Sequence, residues 1–357
     1  LNPEAIADRT TVGVFFRQAA RYGNKPLIHY RHGEGWQVET WADMERHVLA
    51  VASGLIAAGV QPRDSVLLVS ENRVEWVYCD FAIQTIGAVT VPVYPNSPAE
   101  MAQTIAADSG ASYAIASGAP LAAKLKEGGS LREIATMDGK VADWVRQPTL
   151  NLTEIAARLS QVTPEDICTI VYTSGTTGTP KGVELAHRNL VDTARAAVKV
   201  HPITDQDSSL SWLPLAHVFG RINEMFDGMV YGGETWISAG SDHLVEELQQ
   251  VKPTIMCSAP RVYEKMYGAV MARVQKANPA KRAIFKWAVS TGTRFSQTVE
   301  PGPALNAQRR LADRLVLAGL RSQLTGGRMR FFISGGAALA QNIEEFFWAI
   351  GVPILNG

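Results

Sequence analysis

Short apolar runs alternate with helical segments in the first half of this chain, and this alternation constrains its fold most strongly. The runs SVLLVS (65–70), AVTVPVY (88–94) and SYAIA (112–116) have the length and apolarity of buried strands. Helical segments around 74–86 and 98–108 separate them. Strands that alternate with helices of about 10–15 residues predict a parallel sheet with helices on its faces. The sequence therefore predicts an α/β fold.

Further elements are expected on both sides of this region. Residues 26–38 predict two short strands around a glycine turn, and residues 40–58 predict a helix. Later strand patterns lie at 167–173, 235–240, 254–260 and 328–336. A helix is expected to begin near His187, and a long helical stretch broken at 278–279 and 301–303 separates the last two strands. Residues 117–163 lack a regular pattern and are interpreted as variable connections.

Composition excludes several classes of protein. The chain has 357 residues, 46% of them hydrophobic and 19% charged, so it can bury a core and is not a disordered chain, a collagen or a coiled coil. Cys79, Cys168 and Cys257 are far apart in apolar runs, which predicts buried free thiols rather than a disulfide framework or a zinc site. No run reaches the ~18 apolar residues of a membrane span, so we expect a cytoplasmic protein.

One segment has the composition of a phosphate-binding loop. Thr173–Gly182 contains three glycines and the five hydroxyl side chains of one serine and four threonines, at the end of a buried strand. Glycines let backbone N–H groups approach an anion, hydroxyl groups add donors, and Lys181 adds a positive charge. A Walker A loop would need glycine before the lysine and serine or threonine after it, and here Pro180 and Gly182 hold those positions. The segment predicts a polyphosphate site of another kind rather than a flexible linker.

The sequence of this segment resembles that of a known family. YTSGTTGTPKGVELAHRNL resembles the phosphate-loop signature of the adenylate-forming superfamily, which contains acyl-CoA synthetases, luciferases and peptide-synthetase adenylation domains. SWLPLAHVFGR (211–221), SAPRVYEKM (258–266) and FFISGGAAL (331–339) resemble further family segments in the right order. Together these segments favour the long-chain fatty acyl-CoA synthetase branch.

The resemblance implies a two-step reaction. A fatty acid carboxylate attacks the α-phosphate of ATP to give acyl-AMP and pyrophosphate, and coenzyme A then displaces AMP. The resemblance also implies a set of ATP-binding residues around the phosphate loop. These are Thr173, Ser174, Gly175, Thr176, Thr177, Gly178 and Lys181. Thr176 would also face Mg²⁺, which prefers few protein ligands together with phosphates and water.

Two further groups are assigned by the same resemblance. Gly335, Gly336, Ala337 and Ala338 would line the adenine site, where small residues admit a flat ring. His217 would lie next to the acyl carboxylate and, with Thr176 and Lys181, is a candidate catalytic residue. It is not expected to act as a general base, because a carboxylate nucleophile has no proton to lose. From spacing alone a lone histidine is more often structural, and Arg261 is equally open between a structural role and a substrate contact.

The resemblance also implies a domain organisation. The fold would comprise two packed α/β subdomains with mainly parallel sheets: residues 66–200 with the phosphate loop, and residues 201–357 with the acyl and adenine site. Residues 1–65 would form a hairpin and helix that pack with the second subdomain. The family's Tyr-Gly-x-Thr-Glu motif, β-barrel subdomain and C-terminal domain are not present in these residues, so we expect this chain alone not to form acyl-CoA.

Several alternatives stay open. Within the superfamily, the chain could belong to a medium-chain or aryl acid CoA ligase, or to an acyl-AMP ligase that loads a carrier protein. Outside catalysis, it could be a nucleotide-binding remnant. The oligomeric state is open as well.

Charge is distributed unevenly despite a net charge of zero. Residues 261–330 contain 14 Lys/Arg and three Asp/Glu, a local charge of +11. This segment could be a solvated helical face, a contact with an anionic membrane surface, or an approach path for anionic ATP, coenzyme A or acyl carboxylate. Nucleic acid is not needed to explain it, because the phosphate loop already accounts for an anionic ligand.

Overall fold

Helices and strands alternate along the chain in a computed structural model that describes residues 1–127, 129, 131–173 and 180–356. The strands are β1 (Pro26–His32), β2 (Gly35–Thr40), β3 (Ser65–Val69), β4 (Val89–Val93), β5 (Tyr113–Ala116), β6 (Glu133–Thr136), β7 (Ile167–Thr173), β8 (Lys181–Ala186), β9 (Ser208–Ser211), β10 (Glu234–Ile237), β11 (Ile255–Ser258), β12 (Phe331–Ser334) and β13 (Ile354–Asn356). The helices are α1 (Thr11–Tyr22), α2 (Trp41–Ala57), α3 (Val74–Thr85), α4 (Ala99–Asp108), α5 (Ala119–Lys126), α6 (Ala142–Arg146), α7 (Leu152–Leu159), α8 (His187–Val200), α9 (Val218–Gly220), α10 (Asp227–Tyr231), α11 (Leu244–Val251), α12 (Pro260–Lys276), α13 (Pro279–Gln297), α14 (Pro303–Ala312), α15 (Ala318–Thr325) and α16 (Gln341–Ile350).

The chain divides into two compact units. Unit 1 comprises Leu1–Asp205 and Pro214–Ile237, and unit 2 comprises Gln206–Leu213 and Ser238–Gly357. The division expected from the family resemblance, with boundaries after residues 65 and 200, stays a prediction. No helix among the described residues is both long and apolar enough to cross a membrane.

Most of the expected helices and strands are present, and several elements that the sequence did not predict are short or lie at a sheet edge. The β1–β2 hairpin, the helix at 40–58 and the breaks between α12, α13 and α14 are confirmed. The interpretation of residues 117–163 as variable connections is wrong, because this region contains α5, β6, α6 and α7. Strands β8, β9 and β13 were also not expected. Several of these elements are short, and β6 and β8 lie at sheet edges, where a strand needs no continuous apolar run.

The six-stranded sheet of unit 1 has apolar side chains on both faces. Its strand order is β6-β5-β3-β4-β7-β8, with antiparallel pairing between β7 and β8 and parallel pairing elsewhere. Along β3, Val66 and Leu68 belong to one hydrophobic cluster, and Leu67 and Val69 belong to another. A strand with a core on each face reads as a continuous apolar run, which is why SVLLV predicted it correctly.

The N-terminal strands of unit 1 pair with each other and with β10. β1 pairs antiparallel with β2 and parallel with β10. α2 begins with a capping box, in which Thr40 Oγ1 accepts the Asp43 N–H at 3.1 Å and the Thr40 N–H donates to the Asp43 carboxylate at 3.0 Å. Trp41 at its start is fully buried in the main hydrophobic cluster of unit 1.

Unit 2 contains parallel strands whose carboxyl ends lie in register. Its strands follow the order β13-β12-β11-β9. Ser258 of β11, Ser334 of β12 and Asn356 of β13 are aligned across these strands. The carboxyl edge of an open parallel sheet is where α/β proteins commonly bind ligands.

All three cysteines of the chain are free and buried, as predicted.

Candidate active site

The two ends of the glycine- and hydroxyl-rich segment meet in the sheet of unit 1. The register of β7 and β8 places Thr173 opposite Lys181, and both residues are exposed. Directly opposite residues of an antiparallel pair have Cβ atoms about 4.5–5.5 Å apart, so the side chains of Thr173 and Lys181 start from neighbouring positions where the segment begins and ends. The other expected ligands lie outside the described residues: Ser174, Gly175, Thr176, Thr177 and Gly178.

Gly182 permits a close side-chain contact beside this pair. A Cβ atom on Gly182 would lie 2.8 Å from Ile170 Cγ2 and 3.0 Å from the Tyr172 ring, which is closer than side chains pack. The ring of Tyr172 therefore lies directly over the glycine, and its hydroxyl donates to Asp108 Oδ2 at 2.5 Å. Burial and this hydrogen bond raise the pKa of Tyr172. These contacts fix the strand pair one residue before Thr173.

His217 lies in unit 1 at the N-terminal end of the short helix α9. Its ring is exposed, and Nδ1 accepts the backbone N–H of Phe219 at 3.1 Å. In the neutral tautomer that accepts at Nδ1, the proton is on Nε2, which can donate to an anionic group. The backbone around it is held by Asn72 Oδ1, which accepts the Leu215 N–H at 2.9 Å.

Arg221 anchors the His217 segment inside unit 1. Its backbone N–H donates to the His217 carbonyl at 2.9 Å, and its guanidinium is 1% exposed. Nε donates to Asp80 Oδ2 at 3.1 Å, Nη2 donates to Asp80 Oδ1, and Nη1 donates to Thr169 Oγ1 at 2.6 Å. Thr169 lies on β7, four residues before Thr173. One buried arginine thus joins the His217 segment to the strand that leads into the phosphate-loop sequence.

Further buried polar groups continue from this ion pair. Gln84 Nε2 donates to Asp80 Oδ1 at 2.8 Å, and the Thr11 hydroxyl donates to Gln84 Oε1. Thr11 Oγ1 also lies 2.7 Å from Nδ1 of His187, the first residue of α8. Burial lowers the pKa of His187 to about 4, so this imidazole is neutral at pH 7. The network therefore connects β7 and the first residue of α8 to α1 and α3.

The expected adenine-binding residues lie at the carboxyl edge of the unit 2 strands. They follow β12 directly; Gly336, Ala337 and Ala338 are exposed, and Gly335 is buried. The Gly335 N–H donates to the Ser258 carbonyl at 3.3 Å, and Gly336 has φ +80°, a conformation that favours glycine. The hydroxyl of Ser334 is buried and has no hydrogen-bond partner among the described residues. An exposed turn of small residues leaves space for a flat heterocycle.

The PRVYEK sequence of unit 2 has a structural role through Tyr263. Its hydroxyl donates to the Ile333 carbonyl at 2.7 Å, and its ring contacts Phe332 and Phe347 edge-on. This side chain is fully buried and fixes α12 against β12, just before the turn at Gly335. Arg261, two residues earlier, is exposed at the first turn of α12.

Sequence comparison identifies the family to which this chain belongs. The sequence profile of AMP-binding enzymes matches residues 15–357. The chain belongs to this family. It is 34% identical over 372 residues to the long-chain-fatty-acid–CoA ligase FadD15 of Mycobacterium bovis, covering 99% of this chain and 61% of that protein. It is 28% identical over 377 residues to the long-chain-fatty-acid–CoA ligase heimdall of Drosophila melanogaster, covering 96% of this chain and 55% of that protein. The chain therefore spans about three fifths of the length of these AMP-binding relatives.

Solved structures confirm the predicted fold class. The inhibitor-bound N-terminal domain of FACL13 from Mycobacterium tuberculosis superposes with a TM-score of 0.72 at 19% identity, covering 98% of this chain and 75% of that one. The fatty acyl-adenylate ligase from L. pneumophila, in complex with acyl adenylate and pyrophosphate, gives 0.67 at 20% identity, covering 96% and 52%. The mainly parallel α/β fold of this chain is therefore the N-terminal fold of adenylate-forming, AMP-binding enzymes.

The sequence did not single out Arg221 or Asp80. Asp80 interrupts the apolar run WVYCDFAI, and Arg221 ends the PLAHVFGR segment before another partly apolar stretch. Charged residues within apolar runs are rarely buried unless they are paired, so each position could have been predicted to have a partner of opposite charge. The pairing itself was not visible, because 141 residues separate the two side chains.

The expected metal site rests on one residue. Thr176 lies outside the described residues, and within the described ranges no group of three or more His, Cys, Asp or Glu side chains could hold a metal ion. Mg²⁺ bound mainly by phosphate oxygens and water would need no such group. We therefore treat Mg²⁺ binding by this chain as part of the proposed function.

Proposed function

We propose that this chain forms the N-terminal part of an ATP-dependent ligase that activates a fatty acid, preferentially a long-chain one. In the first step, a carboxylate oxygen bonds to the α-phosphorus of ATP, and the bond to pyrophosphate breaks. In the second step, the thiol of coenzyme A loses its proton and bonds to the acyl carbon, and AMP leaves. The observation that carries this proposal is the pairing of Lys181 with Thr173 at the base of the phosphate-loop sequence, in a chain 34% identical to a long-chain-fatty-acid–CoA ligase.

Each candidate residue has a role that fits its surroundings. Lys181 would neutralise charge on the β- and γ-phosphates, and the Thr173 hydroxyl would donate to them. Mg²⁺ held near Thr176 would neutralise further phosphate charge when bound. His217 would donate from Nε2 to the acyl carboxylate and orient it for attack, which is positioning rather than proton abstraction.

Two further groups of residues would contact the nucleotide. Ser174, Gly175, Thr177 and Gly178 would supply hydroxyl and backbone N–H donors to the phosphates. Gly335, Gly336, Ala337 and Ala338 would line the adenine ring, with the Ser334 hydroxyl as an additional hydrogen-bonding group. We retain the three-part organisation of residues 1–65, 66–200 and 201–357 as part of this proposal.

Acid-dependent ATP–pyrophosphate exchange by the complete ligase tests the first step. The substrates would be fatty acids of increasing chain length and benzoate, and we expect the highest exchange with long-chain acids. Lys181→Gln should lower the rate by about 10²-fold, the effect of removing one charge-stabilising group. Lys199→Gln, an exposed lysine on α8, is the control and should leave the rate unchanged. Equal rates for both variants, or a preference for benzoate, would contradict the proposal.

The acceptor in the second step is tested separately. Consumption of coenzyme A with formation of a thioester supports the CoA ligase. Accumulation of acyl-AMP in the presence of coenzyme A would instead support an acyl-AMP ligase that loads a carrier protein. Binding of ATP without exchange would support a non-catalytic remnant. The 357-residue chain, which spans 61% of its relative, is expected not to turn over by itself.

A cytoplasmic location with peripheral membrane contact completes the proposal. Long-chain fatty acids partition into lipid bilayers, and the +11 segment at residues 261–330 would be attracted to an anionic bilayer surface. No nucleic acid partner is proposed.

A further inference from the structure

An apolar groove opens between three helical segments of unit 2. It encloses a volume of about 390 Å³. It is lined by Val270, Arg273, Val274, Ala277, Lys281, Ile284, Phe285, Leu315, Val316, Leu320 and Gln323. Ile284 on α13 is 45% exposed and Leu315 is 58% exposed. Large apolar side chains that stay this exposed beside a groove are typical of an interaction surface.

The charged side chains at this groove have a single sign. Its lining contains two cations, Arg273 and Lys281, and no carboxylate. Only three acids occur in residues 261–330, and one of them, Asp313, pairs with Arg321 at 2.6 Å. The helices around the groove therefore present an excess of positive charge that is not compensated within the segment.

We propose that this groove and its cationic rim form a docking surface for an anionic lipid bilayer. Apolar side chains would enter the boundary between head groups and acyl chains, while Arg273 and Lys281 would extend their charged ends towards lipid phosphates. Charge complementarity selects this occupant, because an anionic bilayer offers negative head groups to the two cations and an apolar interior to the groove. This surface would make the membrane contact that is part of the proposed function. Binding of lipid by these side chains does not depend on ligase activity.

Co-sedimentation of the chain with lipid vesicles tests the docking surface. The vesicles would be phosphatidylcholine with or without phosphatidylglycerol, at low and at high salt, without ATP or fatty acid. We expect the chain to pellet with anionic vesicles at low salt, to be released by high salt, and not to pellet with neutral vesicles. Failure to pellet with anionic vesicles at low salt would overturn the proposal and would leave the ligase proposal untouched.

Paired variants separate the charged and the apolar contributions. Arg273→Glu with Lys281→Glu should lower the partition coefficient at least roughly 30-fold, because each cation near an anionic surface contributes about fivefold. Ile284→Ser with Leu315→Ser should weaken binding while leaving its salt dependence unchanged. The control is Arg188→Glu with Lys199→Glu on α8, which makes the same charge change on unit 1 and should retain most of the binding.

Two outcomes would contradict the docking surface specifically. An equal loss of binding in the α8 control would mean that overall charge, not this surface, drives association. A dimer in solution that the Ile284→Ser/Leu315→Ser variant abolishes would mean that a second copy occupies the groove. Circular dichroism and thermal unfolding of every variant check that a loss of binding is not a loss of fold.

Discussion

In unit 1 the guanidinium of Arg221 is buried against Asp80 and Thr169, whereas in unit 2 Arg273 and Lys281 stand exposed around an apolar groove. The buried arginine makes short hydrogen bonds to defined partners, and its charge acts mainly on those partners. The exposed cations face water, and their fields add over the surface.

This difference has a thermodynamic consequence. A charge buried with its partner is costly to leave alone, because the remaining charge has no water to solvate it. An exposed charge loses little when its partner is removed, because water replaces the partner. Substitutions at the buried Arg221–Asp80 pair should therefore affect stability strongly, while the exposed cations of unit 2 should affect association with anionic partners.

The largest effect is expected from breaking the buried ion pair. Arg221→Met leaves the Asp80 carboxylate buried beside Gln84 alone, and we expect a loss of about 3–5 kcal/mol in the free energy of unfolding, measured with urea. The double variant Arg221→Met/Asp80→Leu removes both charges and should recover much of this loss. A cost below about 1 kcal/mol for the single variant would show that the pair contributes as little as an exposed one.

Close packing at Gly182 should give the next largest effect. Gly182→Ala places a Cβ against Ile170 and the Tyr172 ring, and we expect a loss of about 1–3 kcal/mol from overpacking. Gly268→Ala on α12 is the matched control, because a Cβ there meets no atom within 4 Å. It should stabilise unit 2 by about 0.5–1 kcal/mol, the usual gain in a helix interior. Changes of similar sign and size in the free energy of unfolding of both variants would mean that close packing does not distinguish Gly182 from Gly268.

The sequence predicted those features that depend on local pattern. SVLLV predicted β3 because both faces of this strand are buried, and the glycine- and hydroxyl-rich segment drew attention to Thr173 and Lys181. The pairing of these two residues across β7 and β8 was not predicted, because β8 is short and its residues 181–184 are exposed. Edge strands depend on their neighbour for their hydrogen bonds, which a single sequence does not reveal.

The buried network was beyond prediction for a different reason. Asp80, Thr169 and Arg221 are far apart in the chain, and only the fold brings them together. Likewise, the groove of unit 2 depends on how α12 and α13 pack with residues 315–323. The local charge of +11 was visible in the sequence, but the apolar groove within it was not.

A buried carboxyl in unit 1, with no hydrogen-bond partner in the part of the chain that the structure describes, should make stability depend on pH. Asp227 is 1% exposed, and burial raises its pKa from 3.8 to about 8. Between these values the folded protein holds a proton that the unfolded chain releases, so stability falls as pH rises, by up to about 1.4 kcal/mol per pH unit. His187 acts in the opposite direction between pH 4 and 6.5, because its pKa is lowered by burial.

The combined effect should be clearest between pH 6.5 and 8. Below pH 6.5 the two groups offset each other, and above pH 8 the contribution of Asp227 is constant. Asp227→Asn should remove the fall between pH 6.5 and 8, measured by urea unfolding at several pH values. An unchanged pH profile in this variant would mean that Asp227 is ionised in the folded protein.

The smallest effect is expected from an exposed pair on the same unit. Arg9 and Asp192 pair through side chains that are 49% and 46% exposed. A double-mutant cycle with Arg9→Ala and Asp192→Ala should give a small coupling energy that decreases as salt is added. The corresponding cycle at Arg221 and Asp80 should give a larger coupling that salt barely changes, because water and ions do not reach the pair. If both couplings were equally sensitive to salt, burial would not be the property that distinguishes the two pairs.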